Sequence, residues 1–185
     1  MAIIALLAIP YAKSAIPETL SFRSPDRRWE FIAKHFENGA FPGYRTKILD
    51  LKTHKIYCDE TIKKIQDNEI LPKRIDAFWS PDSKFLAINY YYGRICYGTS
   101  IIDLTDHVPN PRSLFDFAPQ VLELENNLQM VGESVGAWTN RTDLPVSLDY
   151  RSPQAKSPYP DSTYSLLIRF ENNQGTIIKK KRGEL

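Results

Sequence analysis

The side chains best suited to chemistry are few in these 185 residues and widely spaced. Three histidines, His35, His54 and His107, are the natural general bases or metal ligands, yet no two fall at the spacing of a zinc or His-Glu-x-x-His site. His35 lies in an alternating, strand-like stretch and the other two in turn-like segments, so each reads as an ordinary packed or surface histidine. Ser134 stands in Gly132-Glu133-Ser134-Val135-Gly136, a literal Gly-x-Ser-x-Gly. A nucleophile elbow needs a strand before the serine and a helix after it, whereas this segment runs into Trp138 and a turn. The acidic groups at Asp59-Glu60, Asp67, Glu69, Glu123 and Glu125 are too dispersed to assemble the oxygen shell that calcium requires. The pattern predicts no catalytic residue, no cofactor and no metal site.

Two cysteines, Cys58 and Cys96, sit outside any Cys-x-x-Cys or Cys/His cluster. In an oxidising compartment they are a candidate disulfide. Two separate buried thiols are the equal alternative.

The elements that must position any site are short and repeated. Ser24-Pro25-Asp26 precedes the apolar stretch Trp29-Glu30-Phe31-Ile32-Ala33, and Ser80-Pro81-Asp82 precedes Phe85-Leu86-Ala87-Ile88. Each is followed by a loop and a second apolar run ending in Asp-Leu, at Asp50-Leu51 and at Asp103-Leu104. Serine and proline suit the first two positions of a type I turn and aspartate the third, so each tripeptide is expected to close a hairpin. A weaker third copy starts at Ala137-Trp138-Thr139-Asn140, runs through Pro145–Tyr150 and Tyr164–Phe170, and ends in a short strand at Thr176-Ile177-Ile178. Each copy is expected to give three or four antiparallel strands. Trp29, Phe31, Phe85, Ala87, Ile102, Trp138, Leu148 and Leu167 are expected to be core. The segment Asp59–Ile70 reads as a short helix or an extra strand, and Ser113–Met130 as a helix, a strand or both.

A tripeptide, an apolar strand, a Gly-containing loop and an Ile-x-Asp-Leu strand together resemble the TolB-type and WD-repeat-like blades of bacterial β-propellers. In such blades glycine usually follows the tripeptide, whereas Arg27 and Ser83 stand there in this chain. The resemblance covers about residues 19 to 178. It implies an all-β, mostly antiparallel, propeller-like fold of about three blade-like sheets with minor helical insertions, and it brings no catalytic residue with it.

Composition fits that reading. Thirteen prolines and 12% aromatics favour short strands and turns, and 42% hydrophobic residues suffice for a core. A formal net charge of +2 lacks the basic excess of a nucleic-acid binder. Lys179-Lys180-Lys181-Arg182 reads as a solvated tail after the last strand. The apolar run Ala2–Ala12 is too short to span a bilayer and has the length of a secretory signal core, although no lysine or arginine precedes it. Residues 1–15 are therefore expected to be a signal peptide and 16–185 a single domain. A buried first strand or helix is the other reading. No later segment is long and apolar enough to span a membrane. The expected location is periplasmic or secreted, in a bacterium.

In a propeller-like array the loops between second and third strands share one face. Here they are Glu37–Tyr44, Tyr90–Gly98 and Tyr150–Thr163, rich in aromatics, Pro, Gly and Arg. Tyrosine and arginine dominate binding energy when buried against a partner. Phe41, Tyr44, Tyr91, Tyr92, Arg94, Tyr97 and Tyr159 are thus the candidate partner-binding residues, and the expected partner is another protein. The expected function is a non-enzymatic binding module, in its concrete form an inhibitor or immunity-type protein acting on a hydrolase. A structural or accessory envelope protein, and a hydrolase with a loop-assembled site, are the alternatives.

Overall fold

The computed structural model describes residues 17–36, 43–58, 72–92, 97–123, 129–154, 156, 159–171 and 174–184. Among these residues twelve strands form three antiparallel four-stranded sheets. The first holds β1 (Thr19–Arg23), β2 (Trp29–Phe36), β3 (Gly43–Asp50) and β4 (Ile56–Cys58). The second holds β5 (Arg74–Trp79), β6 (Phe85–Tyr91), β7 (Tyr97–Asp103) and β8 (Asn110–Arg112). The third holds β9 (Gln129–Val135), β10 (Asp143–Arg151), β11 (Ser162–Glu171) and β12 (Gln174–Glu184). Within each sheet the strands follow one another in chain order, so every sheet is an up-and-down meander. The expected all-β, blade-like architecture is what the chain adopts.

The repeated tripeptide works as its chemistry dictates. Ser24 Oγ accepts from the Trp29 N–H at 2.9 Å and Ser80 Oγ from the Phe85 N–H at 3.0 Å. Each serine hydroxyl also donates to the aspartate two residues on, Asp26 or Asp82, at 2.5 and 2.8 Å. The next residue closes the turn in the left-handed region, with φ of 59° at Arg27 and 62° at Ser83. That is the conformation glycine adopts without strain, which is why glycine usually occupies the position in similar blades. The two Asp-Leu turns repeat the device further along. Asp50 Oδ1 accepts from the Lys52 N–H at 2.9 Å and Asp103 Oδ1 from the Thr105 N–H at 2.8 Å, and His54 and His107 take φ of 58° and 60°. The third copy keeps the tryptophan and loses the tripeptide. Asn140 Oδ1 there accepts from the N–H groups of Thr142 and Asp143, both at 2.8 Å.

The second sheet is buried on both faces, and this organises the core. Phe85, Ala87 and Ile101 point into a cluster shared with the third sheet, where Leu144, Val146, Leu148, Leu166 and Ile168 meet them. Leu86, Ile88, Tyr90 and Ile102 point the other way, onto Trp29, Phe31, Ala33 and Ile48 of the first sheet. Alternation along a strand sends neighbours to opposite faces, so a strand buried on both faces, like β6, must lie between two layers, and its one buried amide, Asn89, is matched by the Val135 backbone. Each such large side chain contributes roughly 1.5–3 kcal/mol on burial. The two outward faces are more polar. Ser21, Arg23, Glu30, Lys34 and Lys47 lie on the first sheet's outer face, and Ser147, Asp149, Thr163, Ser165 and Arg169 on the third sheet's. Outer layers of repeat arrays need such faces to stay in water.

Seven of the eight expected core residues are buried. Leu167 is the exception and is only partly covered. In β11 the inward positions are Tyr164, Leu166, Ile168 and Phe170, so Leu167 falls on the outer face with Ser165 and Arg169. The segment after β8 forms a one-turn helix, α1 (Leu114–Phe117), and a 3-10 turn (Pro119–Glu123) before β9 begins. Ser113 caps α1, accepting from the Asp116 N–H, while the Asp116 side chain accepts from the Ser113 N–H. The expected signal segment 1–15 and the Asp59–Ile70 insertion lie outside the described residues. Among the described residues no helix is long and apolar enough to cross a membrane.

Candidate functional site

The tripeptide turns and Asp-Leu turns share one end of the sheets. The Asp26 N–H of the first sheet's turn donates to Ser83 Oγ of the second's at 3.0 Å, and the Arg28 guanidinium Nη1 lies 2.9 Å from His107 Nδ1. The connections between second and third strands therefore occupy the opposite end. From this end come the residues singled out as a partner-binding set.

At its centre Tyr91, the last residue of β6, lies opposite Arg74, the first residue of β5. The Tyr91 hydroxyl donates to Asp76 Oδ2 at 2.8 Å. Arg74 grips the same carboxylate with Nη2 at 2.8 Å and Nε at 3.2 Å, and its guanidinium lies over the Tyr91 ring at 4.7 Å. Residues 74 and 76 share a face because side chains alternate with a period of two. Burial and the Asp76 carboxylate push the Tyr91 phenol above its ordinary range, so it stays a proton donor to Asp76. Tyr91 is half-buried and Arg74 exposed, so an aromatic face and a cation are held in fixed relation at the rim of the middle sheet.

The other residues of the set are placed differently. Tyr44 is buried: its ring packs edge-on to His35 at 5.3 Å, and its hydroxyl donates to the Pro17 carbonyl at 3.0 Å. It closes the end of the first core and is not offered to solvent. Tyr92 is half-buried and packs on the same core. Tyr159 is exposed. Phe41, Arg94 and Cys96 lie outside the described residues, and with Cys96 the candidate Cys58–Cys96 disulfide. Tyr97 opens β7 and Cys58 closes β4, and the described part of each is its backbone. On the first sheet, Arg45 lies over the Phe36 ring at 4.1 Å and adds a second cation and aromatic pair to this end. Arg74, Asp76 and Arg45 were not singled out from sequence. The signal for the first two was an opposite-charge pair two residues apart on a strand, and its meaning depends on Tyr91 lying across the ladder.

Two acidic groups elsewhere have shifted protonation. Glu133 of β9 is buried in the seam between the second and third sheets. Its Oε1 accepts from the Thr99 N–H at 2.9 Å and the Thr99 hydroxyl at 2.7 Å, while Oε2 has no hydrogen-bond partner among the described residues. Burial pushes this carboxyl above the ordinary glutamate range, against the lowering effect of Thr99. Asp143, at the start of β10, takes Arg169 Nε at 2.8 Å and Nη2 at 3.0 Å. That fork holds its carboxyl far below the ordinary range, helped by Asn140 and Thr142. Ser134, beside Glu133, lies within β9 opposite Ser147 of β10, and the element that follows is β10, not the helix an elbow needs. Among the described residues no group of three histidine, cysteine or acidic side chains is arranged to hold a metal.

No protein-family model matches the chain, and no curated protein is detectably similar to it. Among solved structures it is similar to TolB from Acinetobacter baumannii, at 11% identity and a TM-score of 0.36. That similarity covers 88% of this chain and 45% of the TolB chain, so the chain spans less than half the length of the protein it matches.

Proposed function

We propose that the chain is an exported, non-enzymatic protein-binding module whose contact surface is the loop end of the three sheets. The observation that supports this reading is the Arg74–Asp76–Tyr91 cluster at the rim of β5 and β6. Its hydrogen bonds fix a tyrosine and an arginine before any partner arrives, and side chains already ordered lose less entropy on binding. The exposed Tyr159 extends the surface across the third sheet. Export rests on the apolar run Ala2–Ala12. In its concrete form the partner is a hydrolase, held as by an inhibitor or immunity-type protein.

The test is capture from an envelope extract with the intact chain, followed by isolation of a complex of defined stoichiometry. The Arg74→Ala/Tyr91→Ala double variant should lose capture by about 30-fold or more, the equivalent of roughly 2 kcal/mol for a central anchor. An Asp149→Asn variant on the outer face of the third sheet should behave as wild type. Equal capture by both variants would place the contact elsewhere.

A further inference from the structure

The basic run Lys179-Lys180-Lys181-Arg182 is not a tail. It lies inside β12, which extends from Gln174 to Glu184 and forms the outermost strand of the third sheet. Across the ladder its four cations face Leu167, Leu166, Ser165 and Tyr164, so β11 offers them no carboxylate. The three lysines have no ion-pair partner among the described residues. Among the described residues the other edge of β12 is covered only at its start, where Gln120 Nε2 donates to the Gly175 carbonyl at 2.7 Å and the added Cβ of any residue replacing Gly175 would meet Ala118 at 3.2 Å. From Lys179 to Gly183 no strand pairs with that edge among the described residues.

The cations alternate between the two sides of the sheet. Lys180 and Arg182 lie over the Tyr164 ring at 4.8 and 5.8 Å, on the inner side, while Lys179 and Lys181 accompany Leu167 and Ser165 on the outer side. A flat anionic surface, such as a bilayer or a duplex backbone, engages one side of a sheet at a time. A second copy of this strand would bring lysine against lysine, which is repulsive across a ladder. An extended chain added as a fifth strand meets both sides at once, because its own side chains alternate in the same way. We infer that the edge of β12 from Lys179 to Gly183 takes an extended acidic peptide segment by strand addition, with successive carboxylates matched to these cations. The open stretch is about 17 Å long at roughly 3.4 Å per residue, enough for five residues of partner. This inference does not depend on the loop-end surface.

The test uses the full chain and a fluorescent ten-residue peptide with four consecutive glutamates flanked by valine and threonine. Its counterpart carries glutamine in place of glutamate. Anisotropy should report binding of the acidic peptide at least tenfold tighter than the glutamine peptide, weakening as salt rises. Hydrogen exchange of amides within 179–183 should slow at least tenfold in the complex. The Lys179→Glu/Lys181→Glu variant should lose at least tenfold in affinity with an unchanged circular dichroism spectrum. Should it fail to fold, Lys179→Gln/Lys181→Gln carries the same comparison. Absence of protection at β12, or equal competition by a DNA duplex or phosphatidylserine vesicles, overturns the inference and leaves the lysines as a guard against edge-to-edge association.

Discussion

The indole N–H of Trp79 donates to the carbonyl of Phe22 at 3.0 Å, linking the second sheet to the first. Trp138 makes the same bond to the carbonyl of Phe78, also at 3.0 Å, linking the third sheet to the second. Phe22 and Phe78 each precede a tripeptide serine by two residues, so one contact is used twice to set the stacking of successive sheets. The first sheet carries Arg23 at the tryptophan position, on its polar outer side.

Truncating these tryptophans should therefore separate two effects. Trp138 stacks on Phe85 at 5.7 Å and packs on Phe170 at 5.5 Å, so Trp138→Ala should cost about 3–5 kcal/mol. Trp138→Phe keeps most of the ring and removes the indole donation to the Phe78 carbonyl, at about 0.5–1.5 kcal/mol. Trp79 is less buried, and Trp79→Ala should fall below Trp138→Ala. Urea unfolding of the three variants gives the order. A Trp79→Ala loss equal to that of Trp138→Ala would contradict it.

The left-handed turn residues predict an asymmetry. Arg27→Gly relieves a non-glycine φ of 59° on an exposed side chain and should stabilise by up to about 1 kcal/mol. Ser83→Gly relieves the same strain but removes the hydroxyl that accepts from the Asp26 N–H, which offsets the gain by about 0.5–1.5 kcal/mol. Thermal melts should show Arg27→Gly raised and Ser83→Gly unchanged or lowered. A clear rise for Ser83→Gly would mean that the link between the two turns contributes nothing.

Glu133 should make stability fall as the medium turns less acid. Its carboxyl is raised in the folded chain, so the folded state holds its proton longer than the unfolded state does. Its contribution is complete below the ordinary glutamate range and is lost as pH rises through the folded value. Glu133→Gln keeps an oxygen acceptor for Thr99 and carries no charge. It should be more stable than the native chain near pH 8 and converge with it near pH 4. Parallel curves over that range would show that the carboxyl does not titrate differently on folding.

Asp143 should give the opposite slope. The Arg169 fork lowers its carboxyl, so its contribution is present above the ordinary aspartate range and is lost as pH falls toward the folded value. Asp143→Asn should lower the melting temperature at pH 7, and the deficit should shrink under strong acid. A deficit unchanged by acid would assign the effect to packing at the start of β10.

Sequence by itself determined the parts of this protein that depend on near neighbours. The Ser-Pro-Asp turns, the left-handed residues after them and the Asp-capped turns are fixed by atoms a few residues apart, so the repeat and its antiparallel strands were legible before any tertiary contact. Tertiary structure decided what depends on residues far along the chain. Leu167 could have faced either way, and only the pairing of Leu166 and Ile168 with Val146 and Leu144 turned it outward. Tyr44 reads as a loop aromatic in sequence, yet Pro17, 27 residues earlier, accepts its hydroxyl and takes it into the core. Lys179–Arg182 reads as a tail until β11 supplies a ladder long enough to hold it as strand. Whether a side chain is core or surface is set by the layer that packs against its strand, and that layer is contributed by segments no local pattern contains.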